Sequence, residues 1–327
     1  MTRYLRQFAT SLMLIGALCS SYAAVGKDWP AQQVRIVLPY PPGGASDVTA
    51  RLLGSKMGQA WGESVVVDNK PGANGIIANE AVAKSAADGY TILMANLGPN
   101  GINPAVYSKL PYDTVKDFAP VILTTTVPLV IVTSADSPYK TLAQLIAAAK
   151  EKPGQINFGS AGNGASNHLA GELLASMTGA KLTHVPYKGD APSITDLMGG
   201  QIHMALPTAL AGVPHIKSGK LRALAVTSKK RIASLPEVPT VDEALGISGY
   251  EAVSWGGFMV PTGTPPEVIA KINAETNKAL QTPEISEKLS AQGAEIVGGT
   301  PEAFGTFLKA ELVKWKKVAD AAKVRLD

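Results

Sequence analysis

Cysteine occurs once in the 327 residues, at Cys19, which excludes a disulfide framework and a cysteine-based metal site. Histidine occurs four times, at 168, 184, 203 and 215, with no H-x-x-E-H or H-E-x-x-H spacing. Charge is sparse at 17%, and aromatic residues make up 6%. The net charge is +4 and the isoelectric point is near 8.9, yet no basic cluster is longer than Lys229-Lys230-Arg231. Nucleic-acid binding therefore has no electrostatic footprint. Asp113, Asp117 and Asp136 read as loop and turn residues, and no pair of carboxylates converges on sequence grounds. A nucleophile elbow needs G-x-S-x-G, and around Ser160 the first position is Phe158.

What is plentiful points to a folded chain of many short elements. Hydrophobic residues reach 46%, and mean hydropathy is +0.10, which excludes disorder. Glycine (32) and proline (23) supply many turns. The length favours two domains.

Arg3 and Arg6 precede an apolar run from Phe8 to Leu18, followed by Cys19-Ser20-Ser21-Tyr22-Ala23. Charged start, short apolar middle and small residues before a cut are the parts of a secretory signal peptide, with cleavage expected after Ala23. The run is too short to span a bilayer, which takes about 20 residues. Leu18, where a small residue is needed, argues against lipidation at Cys19. Removing residues 1–23 takes away both arginines and the cysteine, leaving 28 basic against 26 acidic residues. The mature chain is nearly neutral, so any affinity for anions must be local.

Beyond residue 33 short β-branched runs alternate with helical stretches. Val34 to Tyr40, Ser64 to Asp68 and Tyr90 to Met94 read as strands, with helices from Asp47 to Met57 and Ile76 to Ala87 between them. This βαβαβ series predicts a parallel sheet covered on both faces. Val121 to Thr133 is too long for one ordinary strand and reads as a strand that leaves one sheet and enters another. The alternation then restarts: Ile156-Asn157-Phe158, Leu182 to Tyr187 and Ile202 to Leu206 read as strands, with helices at His168 to Met177 and Pro192 to Met198. Leu221 to Thr227 is a second candidate crossing, and the last hundred residues read as helices. Phe304, Leu308, Leu312, Trp315 and Val318 form a core-facing stripe on the final helix, Pro301 to Val324. The prediction is an α/β chain of two lobes around a cleft, each a mostly parallel sheet flanked by helices, joined by two crossing strands. Lobe one takes residues 24–123 and 228–327, and lobe two, residues 124–227, is inserted in it.

Ligands of open α/β sheets sit at the C-terminal ends of the strands. That directs attention to the loops after Tyr40, Met94, Phe158, Tyr187 and Leu206. Pro41-Pro42-Gly43-Gly44-Ala45-Ser46-Asp47 joins a strand end to a helix N-terminus, where glycines let backbone N–H groups approach a ligand and the helix dipole favours an anion. Gly159-Ser160-Ala161-Gly162-Asn163-Gly164-Ala165-Ser166 repeats the device in lobe two. A glycine loop alone can be a mere turn; two facing one cleft point to an anion. Neither carries the Walker lysine, and the order of Gly159, Gly162 and Gly164 is not the dinucleotide fingerprint, so a carboxylate is expected. Lys188 is the only cation placed plainly on a cleft loop. One helix terminus contributes about 0.3–2 kcal/mol, whereas micromolar binding needs about 8 kcal/mol. Hydrogen bonds and closure of the lobes must supply the rest.

From Trp29-Pro30 through the Tyr40–Asp47 loop, the sequence resembles the Bug family, solute receptors of tripartite tricarboxylate transporters. The resemblance continues through Asp68 to Gly75, Asp88 to Thr91, Asn157 to Gly162, His168-Leu169, Val185 to Gly189 and Gly199-Gly200-Gln201. Leu221 to Thr227 and Leu235 to Thr240 complete it. It implies a periplasmic binding protein of the type II, Venus-flytrap kind, a monomer without cofactor, metal or catalysis. Its partners are a small carboxylate ligand and membrane permease subunits. The resemblance assigns ligand contacts to Tyr40, Pro42, Gly43, Gly44, Ser46 and Asp47 in lobe one. In lobe two it assigns Ser160, Ala161, Gly162, Asn163, Ser166, His168, Tyr187 and Gly189.

Three positions depart from the family pattern: Asp190 replaces a small or hydroxyl residue, His203 an aspartate, and Pro207-Thr208 a segment that commonly carries an acid. Asp190 is a further candidate site residue, either facing the cleft to select a cationic or hydrogen-bond-donating end of the ligand or serving as a solvated helix cap before Pro192. His203 reads as structural. Two further functions share these sequence features. One is a sensor module docking on a membrane signalling protein; the other is a secreted hydrolase built around Ser160.

Overall fold

The computed structural model describes residues 29–291 and 293–326. The export signal expected at 1–23 lies outside the described residues. Val34–Leu38 (β1) has four of its five residues buried, as a strand covered on both faces requires. The helix Ala45–Trp61 (α1) leads to Val65–Asn69 (β2), and Ile76–Ala83 (α2) leads to Thr91–Asn96 (β3). Both flanking strands pair parallel to β1. After Asn103–Val106 (α3), Phe118–Pro128 (β4) enters the same sheet from the far side.

The long apolar run divides at Leu129. Val130–Ser134 (β5) belongs to a second sheet, so the chain does leave one sheet for another there. That sheet continues through Leu142–Glu151 (α4), Asn157–Ser160 (β6), Ser166–Thr178 (α5), Thr183–Pro186 (β7), Asp190–Met198 (α6), Met204–Ala205 (β8), Ala209–Lys217 (α7) and Leu221–Val226 (β9). Val241–Leu245 (α8) packs on α4 and β9. Val253–Pro261 (β10), Pro266–Leu280 (α9), Pro283–Ala291 (α10), Glu295–Ile296 (β11) and Pro301–Ala322 (α11) return to the first sheet.

The sheet orders are β11-β4-β10-β3-β1-β2 and β7-β6-β8-β5-β9. Both are mixed, which corrects the expectation of mostly parallel sheets. Parallel strand pairs join β1 to β2 and β3 in one sheet and β6 to β7 and β8 in the other. The strands beside the crossover pair antiparallel. A βαβ unit imposes parallel pairing only within itself, and a chain returning from another sheet is free of it.

The last hundred residues are not all helical. Strand β10 lies inside the first sheet, between β3 and β4. Gly256 and Gly257 hide it by propensity, and its register against β4 shifts between them and again between Phe258 and Met259. A Cβ on Gly257 would lie 2.6 Å from the Ile122 carbonyl oxygen and 2.8 Å from the Phe304 ring, so packing there demands glycine. The second expected crossing also differs, because β9 lies wholly in the second sheet and the return runs through residues 227–252. Residues 124–128, expected in lobe two, belong to β4, and 125–128 pair with β10 in the first sheet.

The α11 stripe buries Phe304, Leu308, Trp315 and Val318, while Leu312 is half-buried. Glu311 is buried instead, 4% exposed, because its Oε2 accepts from the indole N–H of Trp255 (3.1 Å) and Trp315 (2.8 Å). Lys314 pairs with its other oxygen. A buried carboxylate is tolerated only with such partners.

Candidate functional site

The N-terminal turn of α1 is held open by Asp47. One carboxylate oxygen accepts from the Gly43 N–H (3.0 Å) and Arg51 Nε (3.0 Å), the other from Asn69 Nδ2 (2.9 Å). Burial by itself raises the Asp47 pKa, but these hydrogen bonds and the Arg51 charge outweigh it and hold the carboxyl below the ordinary carboxylate value. Asn69 Nδ2 also donates to the Tyr40 carbonyl (3.0 Å), tying the loop after β1 to the end of β2. Gly43 takes a positive φ of 92° to bring its N–H back onto Asp47. Pro42, Gly43 and Gly44 are exposed. The first N–H groups of a helix have no acceptor within it, so those of Ala45 and Ser46 remain available. Tyr40 is half-buried, and burial pushes its phenol up to about 12.

In lobe two the expected contacts form a knot beneath the glycine loop. Ser160 is fully buried, and its hydroxyl accepts from the Gly162 N–H (3.1 Å) and lies 2.6 Å from His184 Nε2. The His184 ring stacks on His168, centroids 3.7 Å apart. His168 Nδ1 accepts from the Gly164 N–H at 3.1 Å, and its Nε2 lies 3.8 Å from Glu172. Burial lowers both histidines, His168 to about 3 with help from the His184 charge and His184 to about 4. Both are neutral near neutral pH. Asn167 accepts from the Ala161 N–H (3.0 Å), and the Gly189 N–H donates to the Ala161 carbonyl (3.1 Å). Ala161, Gly162 and Ser166 are half-buried, and Asn163 is exposed. The Tyr187 hydroxyl donates to Asp196 at 2.8 Å; burial, with the Asp196 hydrogen bond and charge, pushes it up to about 12.

Asp190 is neither a free cleft carboxylate nor a solvated cap. Its oxygens accept from Asn167 Nδ2 (2.8 Å) and from the N–H and hydroxyl of Thr208 (3.2 Å each). Burial raises its pKa, partly offset by those bonds. The side chain thus joins the loops after β6, β7 and β8. His203 is exposed and bonded to Asn157 at the N-terminal ends of the strands, away from the loops that carry the site.

Helix starts from the two lobes meet in a cavity of about 90 Å³, lined by Ala45, Ser46 and Thr49 of α1 and by Thr208 and Leu210 of α7 and its cap. Asn96, Thr125, Val127, Ser254, Trp255, Gly256 and Ala294 complete the wall. Among the described residues no lining residue is charged. Of the residues selected from sequence, only Ser46 lines this cavity. Asn96 is the last residue of β3 and Thr208 lies in the loop after Leu206, both at the strand ends that strand polarity marks. Thr125 and Ser254 come from β4 and β10 and carried no sequence signal, because only the crossover brings them here. A larger space, about 830 Å³, opens between α9, α11 and the start of β4. It lies away from the β1 and β6 loops, so the interlobe cavity is the candidate site.

The class is therefore a two-lobed binding protein, with an uncharged cavity between sheets and helix starts pointing into it. Residues 49–324 match the family described as Tripartite tricarboxylate transporter family receptor, and the chain belongs to that family. It is 38% identical over 299 residues to the protein BugT of Bordetella pertussis, covering 91% of each chain. The fold matches the R. palustris protein Rpa4515 solved with adipate, at TM-score 0.79 and 38% identity, covering 91% of this chain and 99% of that one. It also matches MatC of Rhodopseudomonas palustris solved with bound malate, at TM-score 0.75 and 30% identity, covering 89% and 99%.

Proposed function

We propose that this chain is an exported, periplasmic receptor that captures a small carboxylate between its lobes and delivers it to membrane permease subunits, without turning it over. The observation that carries this reading is the interlobe cavity, where the N-terminal turns of α1 and α7 converge and, among the described residues, no cationic side chain lines the wall. Helix N–H groups can hold a carboxylate without a clamp. The ligands of the relatives, adipate and malate, fit that chemistry. The contacts proposed for the ligand in the cavity are the backbone at Ala45 and Ser46 and the Ser46 hydroxyl; Gly44, the Ala161–Asn163 turn and Ser166, which do not line it, are proposed from the family resemblance of the two glycine loops. Asp47, Ser160, His168, Tyr187, Gly189 and Asp190 hold those loops in place. Lobe one takes the sheet containing β4 and β10, and lobe two runs from β5 through α8. The hydrolase reading loses support because Ser160, although bonded to His184, is fully buried.

A thermal-shift series on protein stripped by unfolding and refolding tests the proposal. Mono- and dicarboxylates should raise the melting temperature in a concentration-dependent way, by about 2.7 kcal/mol of added stability at one hundred times Kd. If neutral amides of the same acids shift it equally, or no carboxylate shifts it, the reading is overturned.

A further inference from the structure

We infer that Leu326 is a positioning residue for the ligand: it reaches from lobe one onto the glycine loop of lobe two and holds that loop in its binding arrangement. The inference rests on the receptor reading of the cleft and adds to it a contact between the lobes. A Cβ on Gly164 would lie 2.6 Å from Leu326 Cδ1, so the leucine methyl packs directly on the loop. Gly164 is buried, takes a positive φ of 73° and donates its N–H to His168 Nδ1 at 3.1 Å. Whatever fixes Gly164 therefore also fixes the turn between Ser160 and Ser166.

The chain reaches that glycine along a pinned path. Helix α11 stops at Lys323, whose φ of 54° is left-handed, and the Val324 N–H turns back to the Ala319 carbonyl at 2.9 Å. This is the hydrogen bonding of a helix C-cap. The segment then crosses to α3. The Leu326 N–H donates to the Val106 carbonyl at 3.0 Å, and Arg325 donates to the Ala105 carbonyl (3.4 Å) and to Asp320 (2.7 Å). The backbone of Leu326 is thus fastened within lobe one, while its half-buried side chain touches lobe two.

Helix α3 carries a second arm to the same glycine. Asn74 Nδ2 donates to Asn103 Oδ1 at 2.7 Å, and Asn103 Nδ2 donates to the Asn74 carbonyl at 3.0 Å. Asn74 Nδ2 also stands 4.0 Å from the Cβ position of Gly164. Ala73 and Asn74 hold left-handed φ values of 46° and 51°, which non-glycine residues seldom adopt and which persist only where the surroundings impose them. Two segments of lobe one, far apart in sequence and anchored on one short helix, converge on one residue of lobe two. A ligand that orders the glycine loop and a leucine that orders it stabilise the same state, so each strengthens the other.

Hydrogen exchange and titration calorimetry on the full mature chain test this with Leu326→Ala, Leu326→Met and a control, Val313→Ala, whose side chain is 58% exposed on α11. In ligand-free protein Leu326→Ala should speed amide exchange across residues 160–166 about fivefold and leave β1 and β3 unchanged. With adipate and malate as probes, affinity should fall about fivefold in Leu326→Ala and hold in Leu326→Met and Val313→Ala. By reciprocity, a probe that binds should slow exchange of the Leu326 N–H in the unsubstituted chain. A lower melting temperature in Leu326→Ala with loop exchange and affinity unchanged would make Leu326 plain packing and overturn the inference. An equal loss of affinity in Val313→Ala would overturn it as well. Where neither acid binds the unsubstituted chain, the receptor reading loses its support, and the exchange comparison on ligand-free protein decides the Leu326 contact by itself.

Discussion

Acid sensitivity at the residue scale centres on the stacked histidines. His168 and His184 are both neutral acceptors or stacking partners, one for the Gly164 N–H and the other beside the Ser160 hydroxyl. Their folded values, about 3 and about 4, lie below the ordinary value of 6.5. The unfolded chain therefore binds protons first as pH falls. Stability is fully present above pH 6.5 and is lost progressively down through the folded values, at up to about 1.4 kcal/mol per pH unit for each histidine. Glu172 faces the pair, and burial raises its pKa, so it supplies little counter-charge once acid is reached. Melting curves between pH 7 and 4.5 should show a steady fall in melting temperature. His184→Gln should start less stable and show a shallower fall. An unchanged slope in that variant would place the acid sensitivity elsewhere.

At the scale of elements, helix α5 sits against the second sheet through a missing side chain. A Cβ on Gly171 would stand 2.3 Å from one Phe158 ring atom and 2.6 Å from another, closer than atoms can approach. Phe158 in turn lies 5.1 Å from the His184 ring and 6.4 Å from the His168 ring. Gly171→Ala should therefore cost about 1–3 kcal/mol by overpacking. It should also move the knot beneath the glycine loop, so ligand affinity should fall together with the denaturation midpoint. Chemical denaturation and calorimetry on the same sample check both outcomes. Stability at the unsubstituted level would show that α5 can shift without strain.

The whole molecule turns on the place where two sheets exchange chain. Leu129 separates β4 from β5, and its N–H donates to the Thr227 hydroxyl at 2.9 Å. The Thr227 N–H and hydroxyl both donate to the Leu129 carbonyl, and Ala252 N–H donates to the Thr227 carbonyl. The link between β4 and β5, the exit from β9 and the entry to β10 are thereby fastened at one buried threonine, 0% exposed. Thr227→Val keeps the shape and removes the hydroxyl, leaving the Leu129 N–H without a partner. The expected cost is about 1–3 kcal/mol. Thermal melts of the ligand-free protein measure it, and a loss under about 0.5 kcal/mol, the size of an ordinary surface change, would show that the crossover is fastened by other contacts.

The order of elements was legible in the sequence wherever burial and period agree. The β1 and β6 runs, the α11 stripe and the two glycine loops all owe their form to neighbours in the chain, so their sequence carries them. Strand β10 was not legible. Its Gly256-Gly257 pair lowers local propensity, and the close approach that requires those glycines comes from Ile122 and Phe304, far away in sequence. The site divides the same way. Ser46 could be named from its place after a glycine loop at a helix start. By contrast, Asp47, Ser160, His168 and Asp190 show their roles only through partners that folding brings to them.

Sequence alone determined that this is a two-lobed α/β chain with anion-friendly helix starts and little charge to spare, because composition, period and turn chemistry act locally. Tertiary structure alone decided which polar groups are left open to a ligand. A hydrogen-bond donor or acceptor is free only after every neighbour in space has been counted, and that count closes the carboxylates of Asp47 and Asp190.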